Sequence, residues 1–301
     1  MIINVLMSTY NGEKYLKEQI DSIMNQRGDF EVRLYVRDDG SIDATHKILE
    51  EYSKQNKLTW YKGENIKPAR SFWKLLSLCE KADYYAFCDQ DDVWNEDKLK
   101  EAIKKCNENE DKEVPFLYCS DVEVVDSKLN TIECKVATRK APTFAHSLIY
   151  SLAPGCTFVM NHKAREKALE YDIESNYVLI HDWLVHKIIA MFGKVYFDDT
   201  KTMQYRQHGN NVIGAQSNFK AKINRIKRFL FANDNARSNS AKALLKVYGS
   251  QVSGKNKELL EMVANYTKDK KMKEKFLKEE SFKIGGISDL YFKLLVRLNK
   301  I

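Results

Sequence analysis

The stretch YYAFCDQDDVW (84–94) sets five apolar residues in a row directly before three carboxylates in four positions, Asp89, Asp91 and Asp92. An apolar run of that length, bounded by polar residues, predicts a strand covered on both faces, and a polar cluster at its end predicts a loop where chemistry can be placed. The same pattern recurs on either side. IINVLM (2–7) runs into Ser8-Thr9-Tyr10-Asn11-Gly12, VRLYV (32–36) runs into Arg37-Asp38-Asp39-Gly40-Ser41, and LTWY (58–61) and FLYCS (116–120) repeat the theme. Between them lie helical patterns. Tyr15, Leu16, Ile20 and Ile23 share one face, Asp43 can cap a helix carrying Ile48, Leu49 and Tyr52, and Pro68 opens one through Phe72, Leu75 and Leu76. Such alternation predicts an α/β fold with a mostly parallel, Rossmann-like sheet and helices on both faces, in which ligands bind beyond the carboxyl ends of the strands.

After residue 120 the alternation lapses. Residues 143–160 read as a helix and a strand interrupted by Pro154-Gly155, a helix starts at Ile180-His181-Asp182-Trp183, and KVYFDD (194–199) and TMQYRQH (202–208) read as two strands before a Gly209-Asn210-Asn211 loop. From residue 218 the chain is helical and basic, so the expected division is an α/β domain over 1–217 and a helical region over 218–301. Charge divides the same way. Residues 217–301 hold 20 Lys+Arg against 8 Asp+Glu, a net of +12, while residues 1–216 hold 29 against 34, a net of −5.

With 44% hydrophobic residues, 12 Gly and 4 Pro in 301, the chain is neither disordered nor collagen-like. Its six cysteines are scattered, without C-x-x-C pairs or zinc-finger spacing, and read as small buried hydrophobes of a reducing compartment. The N-terminal apolar run stops after Met7 with no basic residues before it, which predicts neither signal peptide nor anchor, and no window approaches the ~18 apolar residues of a membrane span. A cytoplasmic location, with the tail at the inner face of the plasma membrane, is the expectation.

Three carboxylates after one strand repel one another unless a cation or hydrogen bonds compensate. Hard oxygen donors at that density suit Mg²⁺ or Mn²⁺, held by one or two carboxylates and substrate phosphates. The competing reading is a cap for the next helix by Asp92 or Asn95. Asp38 and Asp39 close a neighbouring strand and can accept from ribose hydroxyls or base N–H groups. A nucleoside diphosphate fits all three loops. Neither G-x-G-x-x-G nor G-x-x-x-x-G-K-[ST] occurs, so phosphate must be met by metal and basic side chains.

STYNGEKYL, VRDDGSIDAT, FCDQDDVW, HDWL and YRQHGNN together resemble the successive motifs of the family two inverting glycosyltransferases with the GT-A fold, over about residues 2–215. The resemblance implies that Thr9, Tyr10 and Asp39 hold the base, with Asp38 in second line, that Asp89 lies near the ribose, and that Asp91 is the main metal ligand of the Asp-x-Asp motif, Asp89 being a further candidate. Asn11 and Gln90 complete the expected nucleotide-sugar contacts. Asp182 takes the role of general base, where a helix cap is the compatible alternative, and His181 stands where the family often has an acidic residue. His208 matches a position that completes metal or diphosphate binding. Arg206 can meet the diphosphate or pair with the acidic body. Pro154-Gly155-Cys156-Thr157 lines the acceptor side by analogy or is simply a turn, Trp94 reads as a core aromatic rather than a sugar platform, and Lys67 and Arg70 read equally as phosphate contacts or a solvated helix end.

DQDDVWNEDKL resembles, more narrowly, bacterial rhamnosyltransferases of surface polysaccharide synthesis, which implies dTDP-L-rhamnose as donor and a glycan, in particular a lipid-linked one, as acceptor; UDP-linked glucose or galactose is the alternative. The tail segments INRIKRFLF (223–231), KDKKMKEKFLK (268–278) and LYFKLLVRL (290–298) suit an anionic membrane surface, or packing on the domain or across a homodimer with solvated lysines. Nucleic-acid binding explains the lysines but not the acidic strand ends. A nucleotidyltransferase is expected to carry a Gly-rich triphosphate loop, of which STYNGEK is a poor version, and an inactive carbohydrate- or membrane-binding scaffold predicts no metal-linked response to nucleotides.

Overall fold

The apolar runs of the N-terminal half form the centre of one sheet in the computed structural model, which describes residues 1–132, 142–208, 235–283, 285 and 287–301. Its strands are β1 (Ile2–Thr9), β2 (Glu31–Asp38), β3 (Thr59–Lys62), β4 (Tyr84–Cys88), β5 (Val93–Trp94), β6 (Phe116–Val125), β7 (Val159–Asn161) and β8 (Lys194–Arg206), in the order β3-β2-β1-β4-β7-β6-β8-β5. The pairs β3·β2, β2·β1, β1·β4 and β6·β8 are parallel, and β7 enters antiparallel between β4 and β6. The sheet is mixed and mostly parallel, with β1 flanked by β2 on one side and β4 on the other.

Strand order therefore reverses at β1, and the register brings three strand ends level: Thr9 stands opposite Asp38, and Met7 opposite Cys88. A crevice at such a reversal is where open α/β sheets bind ligands. Ile3, Val5, Leu6, Met7 and Val36 are fully buried, as is the run from Tyr85 to Cys88 to within 1%. Covering the strands are helices α1 (Leu16–Met24), α2 (Thr45–Lys54), α3 (Lys67–Leu78, with Pro68 in its first turn) and α4 (Lys98–Asn109). Their inward positions are those of the sequence periodicity, among them Leu16, Ile20, Ile23, Ile48, Leu49, Phe72, Leu75 and Leu76, each burial favouring the fold by about 1.5–3 kcal/mol.

Three departures from the sequence reading have physical causes. The segments 194–199 and 202–208 are not two strands but one, β8, which follows β6 past register shifts at Ser120/Asp121 and Asp121/Glu123; the polar Asp198-Asp199-Thr200 stretch that looked like a break is carried by these irregularities. β6 itself continues to Val125. Helix α6 (His162–Leu169) has no strong periodicity, since only Ala164 and Ala168 are buried, and it is started by Asn161, whose side chain accepts from the Ala164 N–H. Helix α7 (His181–Phe192), in contrast, starts where the sequence reading placed it, and it buries all but two of its twelve residues.

The chain divides into two compact units, Met1–Ile132 with Ala153–Gln207, and Glu133–Leu152 with His208–Ile301. The second contains α5 (Phe144–Ile149), α8 (Ala236–Tyr248), α9 (Gly254–Asn265), α10 (Lys270–Lys278) and α11 (Ile287–Arg297). Its core has an aromatic knot in which Phe276 lies 5.0 Å from Phe282, 5.1 Å from Phe292 and 5.5 Å from Tyr266, ring centre to ring centre. The Gly209-Asn210-Asn211 loop and the 223–231 segment lie outside the described residues. Cys79, Cys88, Cys106, Cys119 and Cys156 are free thiols and buried, while Cys134 lies outside the described residues. Among the described residues no helix is long and apolar enough to cross a membrane.

Candidate active site

The loop after β1 is held by one amide. Gln90 Oε1 accepts from both the Thr9 hydroxyl and the Tyr10 N–H (2.9 Å), and its Nε2 donates to the Tyr10 carbonyl at 3.2 Å. The clamp passes so close to Gly12 that a Cβ there would stand 2.5 Å from Gln90 Oε1 and 2.7 Å from Thr9 Oγ1, so any larger residue would push the clamp aside. Asn11 takes a left-handed φ of 49°, donates its N–H to Ser41 Oγ and accepts from the Ile42 N–H, and the Gly12 N–H donates to Thr45 Oγ1. Thr9 is buried and Tyr10 is 47% exposed beside it.

The two carboxylates that end β2 differ in what they have left to offer. Asp38, fully buried, accepts from the Gly40 N–H (3.1 Å), the Ser41 N–H (3.0 Å), the Ser41 hydroxyl and His46 Nε2 (2.7 Å). Three of the four fall on Oδ2, and Oδ1 takes only the Ser41 hydroxyl. These bonds make Asp38 the holder of the loop that starts α2. Asp39 accepts three, from Arg37, the Ile66 N–H (2.9 Å) and the Lys67 N–H (3.0 Å).

The turn after β4 carries the densest charge. Asp92 is fully buried; its Oδ1 accepts from the Arg206 N–H at 3.0 Å, and its Oδ2 has no hydrogen-bond partner. Ligand atoms of Asp89, Asp92 and Cys156 lie within 4.8 Å of one another. Burial, then the charges of Asp91 and Asp182, push the Asp89 carboxyl up to about 7. Burial and the neighbouring Asp89 and Asp91 push Asp92 far above the ordinary carboxylate value, and burial, then the charges of Asp92 and Asp89, push the Cys156 thiol up. An orphaned buried carboxylate oxygen among mutually repelling carboxylates is a donor set that fits a divalent cation. The oxygens of Asp89, Asp91 and Asp92 suit Mg²⁺ or Mn²⁺; Cys156 is the softer neighbour.

Arg206 is 2% exposed, and its guanidinium is turned into the protein. Nε donates to the Asp91 carbonyl at 2.7 Å, Nη1 to the Ser127 carbonyl at 3.0 Å and Nη2 to Glu18, while the group stacks 4.4 Å from the Tyr15 ring centre. The ion pair with Glu18 is the second role read from the sequence, and the bond to the Asp91 carbonyl ties Arg206 to the Asp91-Asp92 turn. His208 ends the described part of this segment, two residues beyond β8.

Asp182 opens α7 and is 8% exposed. Its Oδ2 accepts from the Gly155 N–H (3.0 Å) and its Oδ1 from the Trp183 N–H (2.6 Å), which fixes the carboxylate against the 154–157 turn. Burial raises it to about 6, and the two N–H donors oppose that rise. A Cβ on Gly155 would lie 2.6 Å from Asp182 Cβ, so the turn approaches the base as closely as it does only because residue 155 is glycine. His181 stacks on Phe72 with ring centres 4.0 Å apart, and burial holds it neutral, down to about 3. Trp94 is a core residue, 2% exposed, and Arg70 pairs with Glu174 at 3.1 Å.

The structure thus brings the Thr9-Tyr10 loop, Gln90, Asp39, Asp89, Asp91 and Asp182 to the carboxyl edge of the parallel strands, with Asp38 and Arg206 tied into the loops behind them. The sequence reading missed the depth of Asp92 and the place of Cys156. Cys156 looked like any buried thiol; the signal was its position after Pro154-Gly155, one residue from the contact with Asp182.

Comparison with known proteins identifies the family and the fold. The family described as Glycosyl transferase family 2 matches residues 4–166. The dTDP-rhamnosyl transferase RfbG of Shigella flexneri is 30% identical over 235 residues, 73% of this chain and 78% of that protein. An uncharacterized glycosyltransferase of Rickettsia typhi is 24% identical over 69% of this chain, which spans 64% of that relative's length. Among solved structures, Staphylococcus aureus TarS 1–349 in complex with UDP-GlcNAc superposes with a TM-score of 0.58 at 16% identity, over 98% of this chain and 81% of that one. The mannosyltransferase PcManGT of Pyrobaculum calidifontis, in complex with GDP-Man and Mn²⁺, gives 0.51 at 15% identity, over 97% and 87%. The fold is that of the GT-A glycosyltransferases. The chain belongs to glycosyl transferase family 2 and is a glycosyltransferase.

Proposed function

We propose that the protein is a metal-dependent, inverting hexosyltransferase that moves L-rhamnose from dTDP-L-rhamnose to a hydroxyl of a lipid-linked glycan in surface polysaccharide synthesis. The observation that carries the reaction type is the meeting of carboxylates from separate elements, Asp89 and Asp91 after β4 and Asp182 at the start of α7, close enough that the charge of Asp182 helps to raise Asp89. In this reading Thr9, Tyr10 and Asp39 receive the base, with Asp38 in second line; each carboxylate has one oxygen that takes a single hydrogen bond and can accept another. Asp91 with Asp89 and His208 would hold Mg²⁺ or Mn²⁺, which supplies positive charge to the departing diphosphate. Asp182 takes the proton from the acceptor hydroxyl as its oxygen attacks the anomeric carbon from the face opposite the nucleotide, which inverts the configuration. The Gly155 and Trp183 N–H donors hold the carboxylate on course.

The donor rests on the likeness to RfbG, which its name describes as a dTDP-rhamnosyl transferase. A UDP-hexose donor is the second reading, favoured by the TarS structure with UDP-GlcNAc. Thermal stability against dTDP, UDP, GDP and CDP, each with and without Mn²⁺, separates them, because a ligand that binds the folded state alone raises the melting temperature. A shift that needs both dTDP and metal is expected. A UDP-selective shift keeps the reaction and replaces the donor, and no shift with any nucleotide overturns the proposal.

A further inference from the structure

Eight large apolar side chains are exposed among the described residues, and three of them, Leu290 (69%), Leu294 (44%) and Leu298 (47%), recur every fourth residue on α11 and the turn that ends it. At about 100° per residue they form one stripe that drifts by about 40° per step. The opposite face of the helix is already used: Phe292, Leu295 and Val296 are buried in the aromatic core of the second unit. The leucines are surplus to that packing.

Beside the stripe runs positive charge. Lys293 and Arg297 lie one position before Leu294 and Leu298, on the same edge of the helix, and Lys300 follows the turn. None of the three forms an ion pair with a described residue. A fourth cation, Lys273 of α10, donates to the Arg297 carbonyl and to Asn299 Oδ1, both at 2.8 Å. The end is rigid: Asn299 takes a φ of 58°, its N–H donates to the Val296 carbonyl (3.2 Å), and the Lys300 N–H donates to the Leu295 carbonyl (2.9 Å), the paired bonds of a glycine-type helix stop made here with asparagine. The acid on the helix, Asp289, sits in the first turn and accepts from the Gly285 N–H.

We propose that this face of α11 docks on an anionic lipid bilayer, the leucine stripe entering the acyl boundary and Lys293, Arg297 and Lys300 meeting the phosphate headgroups. The chemistry favours lipid over a second copy of the chain, because two copies joined through this stripe would bring the same basic edges together. At 11 residues the helix is about 16 Å long, roughly half the hydrocarbon thickness, so it lies in the plane of the interface and does not span it. The proposal rests on the lipid-linked acceptor reading for its purpose only, and it is measured without donor or acceptor.

The test is flotation of the full chain with phosphatidylcholine vesicles that contain or lack phosphatidylglycerol. Capture by the anionic vesicles alone, weakened by added salt, is expected. Each of K293Q, R297Q and K300Q should lower partitioning about fivefold, the equivalent of about 1 kcal/mol per near-surface cation. Leu290→Ser, Leu294→Ser and Leu298→Ser together should abolish capture while leaving the melting temperature and the nucleotide-dependent shift unchanged. L294W provides a gain of signal, a blue shift of indole emission on adding anionic vesicles. Capture indifferent to phosphatidylglycerol, or intact in the triple leucine variant, overturns the proposal. So does a dimeric mass by light scattering that becomes monomeric in that variant without vesicle binding. A nucleotide response that survives any of these results leaves the glycosyltransferase reading standing by itself.

Discussion

Asp182 shows how a single carboxylate is set up for its proposed work. Burial raises it to about 6, so above that pH it is an anion ready to accept a proton, and below it transfer should fall about tenfold per pH unit. A kcat profile whose acid limb lies near pH 6 is expected. D182N should lower kcat by about 10²–10⁴ while the nucleotide- and Mn²⁺-dependent thermal shift persists; transfer at the normal rate would show that the base is elsewhere. The same shift has the opposite sign for stability. The folded carboxyl keeps its proton up to about pH 6, whereas the unfolded one releases it near the ordinary 3.8, so this group makes the ligand-free protein lose stability as pH rises between those values and contributes no further change above. G155A should cost about 1–3 kcal/mol in urea denaturation and lower kcat more than nucleotide affinity, because the added methyl meets the Asp182 side chain first. How much of this was legible differs residue by residue. Asp39, Asp89, Asp91 and Asp182 could be named from motifs, but nothing near Asp38 in the sequence reveals that His46, eight residues on, joins Gly40 and Ser41 as a donor to it.

At the scale of elements, the central strands and helices α1 to α4 were readable because burial on both faces writes a continuous apolar run and burial on one face writes a helical stripe. The failures come where that rule weakens. β8 is long and partly solvent-facing, so its polar middle imitates a turn, and α6 presents two alanines to the interior, too little to mark a period. Contacts distant in sequence were hidden altogether: Arg206 pairs with Glu18 across 188 positions and reaches back to the Asp91 carbonyl. R206M tests that tie. Glu18 is 48% exposed and can rehydrate, so the loss is that of the hydrogen bonds to the Asp91 and Ser127 carbonyls, about 1–3 kcal/mol, read as a lower urea midpoint. The variant should also need more Mn²⁺ for half-maximal nucleotide-dependent stabilisation, because the acidic turn loses its anchor. An unchanged metal requirement would mean that the turn holds its shape unaided.

For the whole molecule, the uneven charge of the sequence corresponds to two units with separate tasks in the proposed reading. An acidic α/β unit carries the reaction, and a basic helical unit carries the surface for lipid. Removing metal with a chelator should therefore abolish the nucleotide response and leave vesicle capture intact, whereas high salt should do the reverse; loss of both under either treatment would contradict this division. The buried thiols offer a different use. Burial pushes Cys88, Cys106, Cys119 and Cys156 up from the ordinary thiol value, and Cys79 as well, so at neutral pH none presents a thiolate to a reagent in the folded chain. In a C134S background a maleimide dye would then act as a clock. Each labelled molecule marks one opening of the α/β unit, and the slowing of the clock by a candidate nucleotide with Mn²⁺ would rank donors without any acceptor in hand.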